Sequence, residues 1–74
     1  MSEIFNAILR EVCSGRIEMR FRVEDVREVL GPSTSFLANH CIDETRKHPL
    51  KNPAFFIRIE EGLFRINPSF YKCQ

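Results

Sequence analysis

The hydrophobic residues near the start of the chain repeat at the spacing of one helical face. Ile4, Ile8 and Val12 are four residues apart, and Phe5 and Leu9 follow the same stripe. A serine at position 2 can cap such a helix, and a glycine at position 15 can end it. The pattern predicts a helix over residues 3–13.

The next stretch changes period, because apolar and charged residues alternate one by one over residues 17–23. A period of two is typical of a half-buried strand. Residues 24–30 return to helical spacing, with Val26, Val29 and Leu30 on one face and Gly31-Pro32 as the stop. We therefore expect a strand followed by a short helix.

A third helix is expected over residues 34–47. Three consecutive hydroxyl residues can cap its start, and His48-Pro49 forces an extended backbone after it. A helical wheel places Leu37, Ala38, Cys41, Ile42 and Thr45 on one side. The other side is polar and presents Asn39, His40, Asp43, Arg46 and Lys47.

A hairpin over residues 54–67 closes the predicted fold. Its strands, residues 54–60 and 63–67, meet at Glu61-Gly62, and a two-residue loop pairs Ile59 with Phe64 and Ile57 with Ile66. Arg58 and Arg65 then face each other on the outer side. The tail after Pro68 is expected to fold Phe70 and Tyr71 back on the core.

The order helix, strand, helix, helix, strand, strand resembles the winged helix-turn-helix superfamily over nearly the whole chain. Residues 26–37 carry the tight helix-turn-helix, and the hairpin over residues 55–66 is similar to the last part of the helix-turn-helix modules of restriction endonucleases and some chromatin proteins. The resemblance implies an α+β fold with a three-stranded antiparallel sheet. One domain over residues 1–74 fits the length of 74 residues.

The composition is typical of a globular domain and excludes a membrane-spanning protein. Hydrophobic residues make up 43% and charged residues 28%, and no apolar run approaches the length of a membrane span. Without a signal-peptide pattern, we expect a cytoplasmic protein with no membrane contact. Three cysteines without C-x-x-C spacing predict reduced thiols.

The resemblance implies binding to double-stranded DNA, with the third helix in the major groove and the hairpin on the phosphate backbone. Over residues 45–59 there are four basic residues and no acidic ones. The candidate DNA-contacting residues are Ser33, Thr34, Ser35, Asn39, His40, Asp43, Arg46, Lys47, Lys51, Arg58 and Arg65. Plain capping by the hydroxyls and a solvated polar helix face are the competing explanations, and Glu18 and Glu60 can neutralise a basic sheet face that includes Arg20 or Arg22.

The alternative function is a protein-interaction or homodimerisation module, since the net charge is only +1. Phe36 and Phe56 would mark its surface if exposed, and would otherwise be satellites of the core. We expect no cofactor, no small-molecule substrate and no catalytic site. Adjacent helical residues such as His40 and Cys41 diverge too far to chelate one metal ion.

Overall fold

A computed structural model describes residues 2–43 and 53–73 of the chain. The first helix, α1, spans Glu3–Cys13 as expected, and the Ser2 hydroxyl accepts a hydrogen bond from the Phe5 amide at 3.2 Å. Ser2 therefore caps the helix. Phe5, Ile8 and Val12 form its buried stripe.

The remaining elements are short. A two-residue strand, β1 (Arg20–Phe21), leads into a 3-10 turn (Val23–Val26) and helix α2 (Arg27–Leu30). Helix α3 (Phe36–Asn39) is followed at once by strand β2 (Cys41–Asp43). Strands β3 (Phe56–Glu60) and β4 (Leu63–Ile66) form the hairpin, and a 3-10 turn (Pro68–Phe70) begins the tail.

The four strands form one mixed sheet in the order β1-β4-β3-β2. The pairs β1-β4 and β3-β4 are antiparallel, whereas β2 runs parallel to β3. The expected α+β class is confirmed. The expected element order and the three-stranded antiparallel sheet are wrong, because β2 adds a fourth, parallel strand at the edge.

The predicted third helix ends after a single turn. The Ser35 side chain makes no capping hydrogen bond, and the backbone becomes extended after His40. Cys41 then pairs with Phe56 across the sheet and is buried there. The predicted residues 44–47 of that helix lie outside the described ranges, while residues 41–43 form a strand because tertiary pairing outweighs a weak helical pattern.

A shift of register changes which residues of the hairpin face each other. Glu60 pairs with Leu63 around the predicted two-residue turn, where Gly62 takes a φ of 78°. Beyond an irregularity between Arg58 and Glu60, Arg58 lies opposite Phe64. The expected pairs Ile59–Phe64 and Ile57–Ile66, and the expected Arg58–Arg65 pair, are therefore each off by one residue.

Aromatic rings fill the core between α1 and the sheet. Phe5, Phe21 and Phe56 are almost completely buried, and the Phe5 ring stacks on Phe55 with centroids 4.4 Å apart. Phe70 meets the same cluster edge-on, 6.0 Å from Phe5. The predicted return of Phe70 and Tyr71 to the core is confirmed by their packing against it.

A disulfide joins the end of α1 to the tail. Cys13 and Cys73 are bonded across a sequence separation of 60, with Cα atoms 5.6 Å apart. The expectation of reduced thiols is wrong for this pair, because folding brings together residues that no short motif links. Cys41 is not part of a disulfide and is buried.

Truncating Phe5 to alanine should remove the ring around which the core is built. We expect Phe5→Ala to lower the free energy of unfolding by about 3–5 kcal/mol, measured by urea denaturation. Met19→Ala is the matched control, because Met19 is 56% exposed and its loss leaves no cavity. Equal effects of the two substitutions would contradict the packing described above.

The disulfide should contribute strongly to the stability of so short a chain. Reduction, or the double variant Cys13→Ser/Cys73→Ser, is expected to lower the free energy of unfolding by about 2–4 kcal/mol, since the bridge closes a long loop. Urea denaturation with and without reductant measures this. Addition of reductant to the double variant should have no further effect.

Candidate interaction surface

Five of the predicted DNA-contacting residues form hydrogen bonds within the protein. The Asn39 side chain donates to the Ser35 hydroxyl at 3.3 Å, and His40 Nδ1 donates to the Pro53 carbonyl at 3.0 Å. Arg58 donates to Asp43 at 2.7 Å as its neighbour across β2 and β3. These side chains hold α3 and β2 in place and do not form a free polar face.

The Asp43–Arg58 contact also explains the one clear pKa shift among residues 2–43 and 53–73. The hydrogen bond from Arg58 to the Asp43 carboxylate, together with the charge of that carboxylate, raises the pKa of the Arg58 guanidinium above its ordinary value. Asp43 therefore does not lie on the polar face of a DNA-contacting helix, where it was predicted, but in strand β2. It is the acidic half of an ion pair at the edge of the sheet.

The other predicted residues divide into two groups. Ser33, Thr34 and Ser35 lie in the turn before α3, a helix of four residues. The backbone of Ser33 is occupied there, because its amide donates to Leu30 and its carbonyl accepts from Phe36. Arg46, Lys47 and Lys51 lie outside the described residues.

Neither aromatic residue proposed for a protein contact is an exposed anchor. Phe56 is fully buried. Phe36 is half-buried, and its ring stacks on His40 with centroids 4.4 Å apart and meets Phe56 edge-on. Both side chains belong to the core and its margin, so an exposed pair at these positions is ruled out in this structure.

The strand register instead builds a continuous row across all four strands. Ile42 pairs with Ile57, Ile57 with Arg65, and Arg65 with Arg20. The neighbouring row, which contains Cys41, Phe56 and Ile66, is buried against the core. Because side chains alternate between the two faces of a sheet, the Ile42–Ile57–Arg65–Arg20 row, called the outer row below, lies on the opposite face.

Two arginines therefore lie side by side at one end of the outer row. The Arg20 side chain is exposed and forms no hydrogen bond or ion pair with the part of the chain that the structure describes, Glu18 and Glu60 included. Arg65 is half-buried beside it and has an interaction partner of its own. Like charges at directly opposed positions destabilise a sheet, so Arg20 favours an anion at this end of the row.

A groove of about 450 Å³ opens beside this pair of arginines. It is bounded by apolar side chains and by the tail, where the Tyr71 hydroxyl lies 3.6 Å from the Met19 sulfur. Its lining residues are Val12, Met19, Arg20, Ile59, Arg65, Ile66, Pro68 and Tyr71. Two cationic residues and no carboxylate among these eight side chains give the groove a positive mouth and apolar walls.

Sequence reasoning placed Arg65 on the outer face but gave it the wrong partner. The alternation over residues 17–23 put Arg20 and Arg22 on the face away from Phe21, and either Arg20 or Arg22 was expected to join the outer face. The prediction failed because the sequence pattern does not indicate the irregularity in β3, which moves Arg58 out of register with Arg65. Arg22 is directed elsewhere, with its guanidinium beside the Gly62 turn.

The chain matches no protein-family model, no curated protein and no solved structure. The resemblance to winged helix-turn-helix proteins therefore stays a prediction from the order of elements. No helix within residues 2–43 and 53–73 is long and apolar enough to cross a membrane. In the same ranges, no group of three or more His, Cys, Asp or Glu side chains is arranged to hold a metal ion.

The facing charges of Arg20 and Arg65 should destabilise the unbound protein. We expect Arg20→Gln to raise the free energy of unfolding by about 0.2–1 kcal/mol at low salt, because it removes one of two facing charges. The gain should shrink in high salt, where the repulsion is screened. Urea denaturation at two salt concentrations tests this, with Arg27→Gln on the exposed side of α2 as the control of equal charge change.

Proposed function

We propose that this protein is an interaction module that binds an acidic segment of a partner protein across the outer face of its sheet. The observation that supports it is the pairing of Arg20 with Arg65 at the mouth of an apolar groove. This is the alternative function expected from the low net charge. The proposed contact surface is the outer row, whereas the sequence predicted Phe36 and Phe56. It requires no catalytic group and no cofactor.

Charge and spacing define the segment that would fit. A carboxylate group would lie against the exposed guanidinium group of Arg20, beside Arg65, where it can accept charged hydrogen bonds from Arg20. An apolar side chain of the same segment would cover Ile57, the next member of the outer row. Adjacent strands are about 4.8 Å apart, so the acidic and apolar side chains of the partner need a separation of about 5–10 Å.

Double-stranded DNA is the competing partner, implied by the predicted element order, which the structure does not have. Its support is weaker in this structure because α3 is one turn long and because Asn39, His40 and Asp43 are engaged in contacts within the protein. The disulfide adds a second argument, since such bridges persist mainly in oxidising compartments. It also counts against the cytoplasmic location that the composition predicts.

The proposal can be tested by titrating the labelled protein with a short peptide rich in Glu and Leu and following backbone amide signals by NMR. We expect signals of Arg20, Ile57 and Arg65 to shift, and the Arg20→Gln/Arg65→Gln variant to weaken binding at least tenfold, as expected for loss of about 1.4 kcal/mol or more from charged hydrogen bonds. Arg27→Gln should bind like the unchanged protein. A peptide with Lys in place of Glu should not bind.

The same preparation should be titrated with random-sequence duplex DNA at 50 and 200 mM salt. The proposed function predicts no DNA binding that depends on residues 46 and 47. Salt-sensitive binding that is lost in Arg46→Ala/Lys47→Ala would overturn the proposal in favour of a DNA-binding protein. Failure of the acidic peptide to shift any signal of the outer row would also contradict it.

A further inference from the structure

The Cys13–Cys73 disulfide borders a second cavity, separate from the outer row. This cavity has a volume of about 500 Å³ and is lined by Asn6, Leu9, Arg10, Cys13, Ser14 and Lys72. Two of these side chains are cationic and none is acidic. The cavity thus places a disulfide sulfur in surroundings that attract anions.

The two cations are available to a ligand. Arg10 and Lys72 are both exposed, and neither forms an ion pair with a carboxylate in the described ranges. Asn6 and Ser14 add polar groups to the wall, and Leu9 adds a small apolar patch. A molecule of matching chemistry carries one or two carboxylates on a short, flexible, partly apolar scaffold.

The placement of the two sulfurs indicates which one an incoming thiolate would attack and which one would leave. Cys13 lines the cavity, whereas Cys73 is exposed on the tail beside Lys72. A thiolate at Cys73 would be stabilised by solvent and by that neighbouring cation. A thiolate at Cys13 would lie at the C-terminal end of α1, where the helix dipole disfavours negative charge.

We propose that this cavity is a thiol–disulfide exchange site for an anionic, carboxylate-bearing thiol. The thiolate of the bound molecule attacks Cys13 Sγ, a new S–S bond forms between them, and the Cys13–Cys73 bond breaks. The electron pair of the broken bond leaves with Cys73 as a thiolate. No external oxidant or reductant is consumed, because the attacking thiol supplies the sulfur and the charge that appear in the products.

The exchange would free the tail from the end of α1. Tyr71 precedes Cys73 by two residues and lines the groove beside the outer row, where its hydroxyl meets Met19. The modified protein would carry a mixed disulfide on Cys13, a free thiol on Cys73 and a tail held only by the packing of Phe70 and Tyr71. The inference depends on the bridge and its cavity and not on the proposed protein partner.

The test uses the oxidised full chain and two probes with the same scaffold, glutathione and its dimethyl ester. Rates of mixed-disulfide formation are measured by intact mass at low salt and corrected for the thiolate fraction of each probe. We expect glutathione to react at least about fivefold faster, since two cations several ångströms away each contribute a fraction of a kcal/mol in water. Peptide mapping should place the added group on Cys13.

Matched variants identify the source of the preference. Arg10→Gln/Lys72→Gln should reduce the rate with glutathione to that with the ester, while Arg27→Gln should leave the ratio unchanged. A Cys41→Ala background removes the third thiol, so that no secondary exchange confuses the mapping. High salt should reduce the preference.

Three outcomes would overturn the inference. The first is an equal corrected rate for the two probes in the unchanged protein. The second is attachment of the probe to Cys73. The third is the absence of a Cys13–Cys73 peptide from a non-reducing digest of the purified protein. None of these outcomes depends on whether an acidic peptide binds the outer row.

Discussion

Phe5 makes the contacts on which the other elements depend. Its ring stacks on Phe55 at 4.4 Å and meets Phe56 and Phe70 edge-on at 5.8 and 6.0 Å. One side chain of α1 thereby touches the start of β3 and the tail. Aromatic pairs of this kind contribute about 0.5–1.5 kcal/mol beyond the contribution of the apolar area that they bury. The cluster therefore also orients α1 relative to β3 and the tail.

Phe55 extends this cluster towards α3, and Phe56 extends it towards β1. Both are buried although they are consecutive, because Phe55 lies just before β3 begins and its ring stacks near Phe36 and His40. Phe56 instead meets Phe21 of β1. The short helix α3 is therefore held by rings from the start of β3 and does not need a long buried stripe of its own.

Much of the fold could be predicted from local pattern, and the failures have physical causes. The spacing of apolar residues in α1 and the turn at Gly62 are strong local signals, and both appear in the structure. Residues 41–43 fit either a helical stripe or a short strand, and only pairing with β3 decides between them. The β3 irregularity and the Cys13–Cys73 bridge depend on tertiary contacts, so spacing along the chain does not reveal them. For the same reason, the sequence left Arg20 and Arg22 as alternatives for the outer face, and it did not reveal the register of Arg20 with Arg65.

The disulfide converts most of the chain into a covalent ring that runs from Cys13 to Cys73. In the 74-residue sequence, residues 1–12 and Gln74 lie outside this ring. A protease that cuts one peptide bond within the ring opens the backbone without separating the pieces. Such a nicked molecule gains the mass of one water and migrates as a single species until the bridge is reduced, when it divides into two fragments.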